Sequence, residues 1–146
     1  MAEITIRAAG KDDLPAILEL WREADATPSL TDSLDGLNAL MREASATLLV
    51  AAADDRIVGS VIGGWDGWRG NIYRLAVSPP YRRRGIARRL VQGINQALFE
   101  KGAQRISALV EHEHAWAVKF WDSVSDVGYR RDPRFIRYIA NRDGSK

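Results

Sequence analysis

The middle of this 146-residue chain constrains the fold more than any other part. Residues 71–77 (NIYRLAV) have the composition of a strand, and the Ser-Pro-Pro of 78–80 ends it because proline cannot continue a hydrogen-bonded ladder. The basic stretch YRRRGIARRL at 81–90 follows, and a helical repeat occupies 84–102. The apolar residues of that repeat are Ile86, Leu90, Ile94 and Leu98. This order of strand, short loop and helix predicts a crossover near the middle of an α+β sheet.

Periodicity and turn residues predict the other elements. Asp66-Gly67 lies between two β-like runs and predicts a hairpin, and Gly102 predicts the end of the long helix. The patterns predict further strands at 3–9, 47–53, 56–65 and 105–110, helices near 12–24, 33–44 and 114–124, and a final strand pair from Gly128-Tyr129. The resulting order, βααβββαβαββ, is that of one α+β sheet.

Composition is typical of a single-domain globular protein. The length suits one domain, and the 46% hydrophobic content supports a core. Cysteine is absent, which excludes disulfides, thiol catalysis and thiolate metal sites. No apolar run approaches the roughly 18–20 residues that span a bilayer, and residues 1–10 lack the apolar stretch of a secretory signal. We therefore expect a soluble cytoplasmic protein that does not act at a membrane.

Charge is unevenly distributed, although the net charge is only +2. Residues 1–60 hold 11 acids and 5 bases, whereas residues 61–146 hold 8 acids and 16 bases. This asymmetry indicates an anionic partner for the second half. Of the 21 bases 17 are arginine, a bias that a GC-rich genome also produces, so charge alone gives only a hint of anion binding.

The start of the long helix is a candidate anion site. The first N–H groups of a helix have no intrahelical partners and the helix dipole is positive there, which favours a phosphate. Gly85 has no Cβ and Ala87 has a small side chain, so an anion could approach the backbone closely. The alternative is a solvated basic helix start in which Gly85 serves only as a turn residue.

These residues resemble a known signature. Arg82-x-x-Gly85-x-Ala87 matches the (Q/R)-x-x-G-x-(G/A) acetyl-CoA motif of the GNAT N-acetyltransferase superfamily, and the likeness extends through LAVSPPYRRRGIA at 75–87. GGWDGWRG at 63–70 further resembles a bacterial branch of YpeA-like acetyltransferases. A later helix is similar to the family's N-x-x-A-x-x-F-Y pattern. Its matching residues are His114, Ala117, Phe120 and Trp121.

The resemblance implies a fold and a co-substrate. It implies a single GNAT domain over 1–146, with a mixed, mostly antiparallel sheet of six to seven strands, about four helices, and a splay between the fourth and fifth strands. Acetyl-CoA would be the acetyl donor, and the backbone N–H of Val77 would polarise its thioester carbonyl. The residues implied in cofactor binding are Leu75, Ala76 and Val77 beside the pantetheine arm, the motif residue Arg82, the backbone of Arg83, Arg84, Gly85, Ile86, Ala87 and Arg88 around the pyrophosphate, and His114 and Trp121.

In the implied reaction a neutral amine attacks the thioester directly, and no metal takes part. Many members carry a tyrosine where Trp121 stands, and that tyrosine protonates the departing thiolate. The indole N–H is too weakly acidic for this role. WDSVSDVGY also has three more residues before its glycine than the usual YEKLGF pattern. Tyr129 is a candidate replacement acid, although its position more often marks a packed strand start, and the thiolate could also leave unaided.

The general base is left open by the sequence. Glu111 follows the fifth predicted strand, where some members carry a catalytic glutamate, although Leu109 matches that position more closely. His112, Glu113 and His114 crowd the same turn, and a solvated cluster or helix cap fits them better than a metal site does. Asp66 is another candidate base that turn chemistry already explains.

The tryptophans allow two interpretations. Trp65 and Trp68 flank the predicted hairpin and could wall an acceptor pocket or stack on a substrate cation, or they could hold the hairpin together or form a dimer contact. Trp21 and Trp116 lie at apolar helical positions and are predicted to be core residues. The last arginines are predicted to form a solvated face, namely Arg130, Arg131, Arg134 and Arg137.

The leading hypothesis is an acetyl-CoA-dependent N-acetyltransferase acting on a primary amine. In the family the first half usually covers the acceptor, so its acidic helices near 12–24 and 33–44 would suit a small cationic amine or a peptide amine. A CoA-binding sensor or partner subunit of the same fold is the alternative, and a homodimer is possible. A nucleic-acid-binding module is not favoured, because no recognised motif accompanies the arginines.

Overall fold

The computed structural model describes residues 3–145, and its contacts divide the chain into two compact units, Met1–Leu109 and Val110–Lys146. The first unit contains a five-stranded sheet in the order β1-β2-β3-β4-β5. Its strands are β1 (Ile4–Ala8), β2 (Ala46–Ala53), β3 (Arg56–Trp65), β4 (Gly70–Val77) and β5 (Ile106–Ala108). Successive strands from β1 to β4 pair antiparallel, and β4 pairs with β5 in parallel. The predicted α+β class and mixed, mostly antiparallel sheet are confirmed.

Four α-helices are present among the described residues. They are α1 (Leu14–Glu23), α2 (Leu34–Met41) and α3 (Ile86–Lys101) in the first unit and α4 (Ala115–Asp122) in the second. The α3 helix ends at Gly102, whose φ of +116° suits a glycine, as predicted. The four predicted apolar positions of α3 are all buried, and so is Trp21 of α1, which confirms them as core.

A close approach of helix and sheet is built around Gly63 on β3. A Cβ at this position would lie 2.6 Å from Cγ1 of Ile94, so only glycine lets α3 pack at this distance. This contact therefore fixes the distance between β3 and the middle of α3.

The prediction of a final strand pair was wrong, and the sheet has five strands instead of six or seven. Within the described part of the chain, no strand occurs after β5. Gly128 ends a 3-10 turn with φ +104°, and the N–H of Arg134 is bonded to the side chain of Asp132 across Pro133. Proline cannot donate to a ladder, and this local turn takes the place of strand pairing where the alternating pattern predicted it.

The pairing of β4 changes along its length. Against β3, Ser60 lies opposite Ala76 but Ile62 lies opposite Tyr73, so β4 carries one extra residue in a bulge. Against β5, pairing ends at Ile72 and Ala108. Residues 73–77 of β4 therefore have no partner strand on that side among residues 3–145. This opening corresponds to the predicted splay between the fourth and fifth strands.

No helix among residues 3–145 combines the length and the apolar character needed to cross a bilayer.

Candidate functional site

The end of β4 presents backbone groups at the open edge of the sheet. Val77 lies opposite Gly59, and the N–H of Ser78 donates to the carbonyl of Val58 at 2.8 Å. In an antiparallel pair, this bond makes Val77 and Gly59 a non-hydrogen-bonded pair, so the N–H and carbonyl of Val77 point away from β3. They face the side on which β5 has already ended, where an extended ligand could pair with the strand.

Arg82, the arginine of the sequence motif, braces this strand end. Its Nε donates to the carbonyl of Val77 at 3.1 Å and its Nη2 to the carbonyl of Ala24 at 3.4 Å, while its backbone N–H donates to the carbonyl of Pro79. Burial lowers the pKa of the Arg82 guanidinium, and the nearby charge of Asp25 partly opposes this shift. The side chain thus ties the end of α1 to the last residue of β4.

Gly85 begins α3 in the left-handed conformation, with φ +79° and ψ 8°. The first backbone bond along the helix runs from the N–H of Arg89 to the carbonyl of Gly85, so the N–H groups of residues 86–88 precede the helical ladder. A left-handed residue followed by a helical one turns successive N–H groups toward one concave surface, which suits an anion. A Cβ at Gly85 would meet no heavy atom within 4 Å outside Gly85 and its two neighbours in the chain. The space above this backbone is open.

The helix start combines buried apolar side chains with arginine side chains that reach solvent. Ile86 and Ala87 are buried, so only their backbone can face a ligand. Arg83, with a left-handed φ of +65°, and Arg84, whose guanidinium lies 5.0 Å from the ring centre of Tyr81, are exposed. The other cations there are Arg88, which is half-buried, and Arg89, which donates to the carbonyl of Ile4. The backbone nest is therefore surrounded by positive charge.

Arg74 in the β4 bulge was missed by sequence reasoning. Its guanidinium forms a two-point ion pair with Asp32 in the loop between α1 and α2, with Nε–Oδ1 at 3.1 Å and Nη2–Oδ2 at 2.5 Å. The same Nη2 donates to the carbonyl of Thr27 at 2.8 Å. The available local signal was a charged residue inside a predicted strand. Its partner lies 42 residues away, beyond the reach of local patterns.

The second unit brings together a row of aromatic side chains. His114 caps α4, since its Nδ1 accepts the N–H of Ala117 at 3.3 Å. Trp116 stacks on Phe120 with ring centres 6.0 Å apart, and it is only half-buried, so its predicted place in the core was wrong. The helix is short and has no fully buried residue, which leaves this face incompletely covered.

Tyr129 lies beside Trp121, with their ring centres 5.0 Å apart at an interplanar angle of 69°. The WDSVSDVGY segment therefore brings the ring of Tyr129 against the ring of Trp121. The segment between the two rings contains the 3-10 turn at Ser125–Val127, and the N–H of Tyr129 donates to the carbonyl of Val124 at 3.3 Å.

The residues before α4 form an exposed turn. Glu111, His112 and Glu113 are exposed, and the carbonyl of Glu111 accepts the N–H of His114 at 3.0 Å. Three or more metal-ligating side chains do not come together anywhere between residues 3 and 145. His112 and Glu113 help to line a shallow surface groove of about 590 Å³ along α4, together with Ala115, Val118, Lys119, Asp122 and Ser123.

The predicted hairpin between β3 and β4 is confirmed. The Asp66 Oδ1 accepts the N–H groups of Trp68 and Arg69, both at 2.8 Å, and these bonds lower the pKa of Asp66. The carboxylate is occupied by the turn and weakened as a base. Trp68 is 70% exposed with the Arg69 guanidinium 4.3 Å from its ring centre, whereas Trp65 lies toward Gly102. The two tryptophans have different neighbours.

Comparisons with known proteins agree on one family. Residues 14–124 match the model of the acetyltransferase (GNAT) family. An acetyltransferase of Pectobacterium atrosepticum is 31% identical over 119 residues, which cover 82% of this chain and 84% of that protein. An acetyltransferase of Yersinia pestis is 29% identical over the same shares of both chains.

Two solved structures share the fold at low sequence identity. The structure of AAC(6')-Iy in complex with the bisubstrate analogue CoA-S-monomethyl-acetylneamine has a TM-score of 0.76 at 18% identity, covering 96% of this chain and 99% of that one. The ribosomal-protein-S18-alanine N-acetyltransferase of Escherichia coli has a TM-score of 0.75 at 20% identity, covering 97% and 87%.

Proposed function

Because the chain belongs to the GNAT acetyltransferase family, we propose that it transfers an acetyl group from acetyl-CoA to a primary amine within a ternary complex. One observation carries this proposal: the open backbone edge at the end of β4 leads within eight residues to the left-handed Gly85 and the start of α3. A strand edge suits an extended amide-containing arm, and a helix start suits a diphosphate. Coenzyme A has both parts.

The proposed cofactor contacts follow from this order. The pantetheine arm lies beside Leu75, Ala76 and Val77, and the diphosphate accepts N–H groups from the nest at residues 83–88. The outward-facing N–H of Val77 donates to the thioester oxygen and stabilises the negative charge that develops there. The buried side chains of Ile86 and Ala87 support a role for their backbone alone.

The reaction needs few groups beyond correct placement. The neutral amine nitrogen attacks the acetyl carbon, the C–S bond breaks, and the coenzyme leaves as a thiolate that takes up one proton. The new amide nitrogen loses one proton to a base. We propose Tyr129 as the acid, since its ring lies against Trp121, and Glu111 as the base. We further propose that residues 1–146 form one acetyltransferase domain and that His114 and Trp121 take part in cofactor binding.

The acceptor is proposed to be a small cationic amine or a peptide amine. Two observations support this class: the first 60 residues are acidic, and proteins of the same fold carry the names aminoglycoside N-acetyltransferase and ribosomal-protein-S18-alanine N-acetyltransferase. Both names describe acetylation at nitrogen.

Calorimetric titration with CoA and acetyl-CoA tests the cofactor site. Gly85→Glu places bulk and negative charge over the nest, and we expect it to weaken CoA binding by more than about a hundredfold, since it removes several charge-assisted contacts. Gly144→Glu is the matched control, because Gly144 has nearly the same φ (+76°) and the same open surroundings. The assignment of the nest at residues 83–88 as the diphosphate site is wrong if Gly85→Glu binds CoA as tightly as the wild type does.

A further inference from the structure

The β4 bulge holds an arginine for which the chemistry above has no role. Arg74 has a left-handed backbone with φ +54°, a conformation that side-chain-bearing residues rarely adopt. Such a conformation persists only where the surrounding structure holds it. The side-chain contacts of Arg74 supply that restraint.

Those contacts fix one loop at two points. The loop between α1 and α2, residues 24–33, binds Arg74 through the carboxylate of Asp32 and through the carbonyl of Thr27, at 2.8 Å for the latter. The two side chains of the ion pair are mostly shielded from water, with exposed fractions of 21% for Arg74 and 16% for Asp32. A planar guanidinium that meets a carboxylate at two atoms sets direction as well as distance.

Asp32 also organises its own loop. Its Oδ2 accepts the N–H of Ser29 at 3.0 Å, and its backbone N–H donates to the carbonyl of Ser29 at 3.1 Å. The Arg74 guanidinium lies 5.4 Å from the ring centre of Trp21, whose Nε1 donates to the buried Ser60 hydroxyl of β3 at 2.9 Å. Arg74 therefore connects the loop, α1 and two neighbouring strands.

We propose that Arg74 is a positioning residue that holds the 24–33 loop as one wall of the acceptor site. The inference rests on the proposed function, in which the acetyl group lies beside residues 75–77. Because Arg74 directly precedes this segment and holds Thr27 and Asp32 within hydrogen-bond distance, an amine that reaches the acetyl group passes this loop. Leu30 lies between the two attachment points and is 58% exposed, so it is an apolar side chain that the wall can offer.

The ion pair with Arg74 also makes Asp32 unsuited to bind a cationic acceptor. Asp32 already faces the guanidinium of Arg74 at two oxygens and the N–H of Ser29 at one of them. Its charge is neutralised in place, so Asp32 shapes the wall instead of binding the amine directly.

Three variants separate the side chain from the backbone. Arg74→Asn removes the cation but keeps a residue type that tolerates the left-handed conformation, and Asp32→Asn removes the partner charge with little change in shape. Arg74→Lys keeps the charge without the fork. Arg7→Asn is the matched control, because Arg7 on β1 forms a two-point pair with Asp13 at 2.7 and 3.0 Å, and β2 and β3 separate β1 from β4 in the sheet.

Hydrogen exchange of residues 24–33 is measured first, followed by the acetyl-CoA Kd and the acceptor KM. For Arg74→Asn and Asp32→Asn we expect loop exchange and acceptor KM to rise about tenfold or more, as the loss of a charged hydrogen-bonded pair predicts. The acetyl-CoA Kd stays within about twofold of wild type. In loop exchange and acceptor KM, Arg74→Lys gives values between those of Arg74→Asn and wild type. The double variant Arg74→Asn/Asp32→Asn resembles either single variant, and Arg7→Asn changes neither quantity.

Unchanged exchange of the 24–33 loop in Arg74→Asn overturns the inference. So does an acetyl-CoA Kd that rises as much as the acceptor KM, because the residue then serves the cofactor site. Failure of the proposed function looks different: the wild type then acetylates no amine. In that case the exchange comparison with Arg7→Asn still decides whether Arg74 holds the loop.

Discussion

Replacing Arg82 by methionine separates two roles for the motif arginine. If its side chain braces the end of β4, its removal destabilises the fold. If it is mainly a phosphate ligand, its removal weakens CoA binding and leaves the fold intact. The observed donor contacts, to the carbonyls of Val77 and Ala24, lead us to expect the first result.

The magnitude follows from the two hydrogen bonds. A bond from a charged donor contributes about 1.5–3 kcal/mol, but the contact with Ala24 is long at 3.4 Å, and burial of the guanidinium, visible in the lowered pKa of Arg82, offsets part of the gain. We therefore expect Arg82→Met to lower the free energy of unfolding by about 2 kcal/mol. For a chain of this size that is a fall in Tm of roughly 4–8 °C.

Thermal unfolding without ligand and calorimetric titration with CoA measure the two effects separately. Arg83→Met is the control, because Arg83 is an exposed neighbour in the same loop. The Tm of Arg83→Met should equal that of the wild type. The brace interpretation is refuted if Arg82→Met melts within a degree or so of wild type while its CoA affinity falls about tenfold or more.

Two further predictions concern stability and the reaction. Hydrogen bonds from Arg7 and Gly10 lower the pKa of Asp13 below 3.8, so its stabilising contribution is complete above the unfolded pKa and is lost as pH falls through the folded one. The Tm of Asp13→Asn should therefore lie below that of wild type at neutral pH, and the gap should close between about pH 5 and pH 2; a gap independent of pH would contradict the assignment. Tyr129→Phe should slow thiol release about tenfold or more if the hydroxyl is the acid, and a normal rate removes Tyr129 from that role.

Local sequence patterns predicted the elements that position the candidate site. The α3 helix repeats its apolar residues with helical spacing over 16 residues, and the Asp66-Gly67 turn has a side chain that bonds its own backbone. Gly85 could be singled out from the sequence because a left-handed helix start and the close approach of an anion both favour a residue without a Cβ. These features depend on residues close together in the sequence, so periodicity and turn chemistry reveal them.

The contacts that brace the site could not be predicted in this way. Arg74 and Asp32 are 42 residues apart, and Arg82 and Ala24 are 58 apart, so no periodic signal connects them. Trp116 follows an apolar helical pattern, but α4 has only eight residues and buries none of them completely. The expected last strands fail for a related reason, since alternation between polar and apolar residues cannot reveal the local turn at Pro133.

Acetyl transfer itself tests the central claim most directly. Purified protein is incubated with acetyl-CoA and a panel of polyamines, aminoglycosides, amino acids and peptide amines, and both thiol release and the product mass are measured. We predict that at least one amine gains a single acetyl group in step with the thiol released, and that Gly85→Glu loses this activity while Gly144→Glu retains it. Tight CoA binding by the wild type without release of thiol to any amine would contradict the account and indicate a CoA-binding sensor or partner subunit.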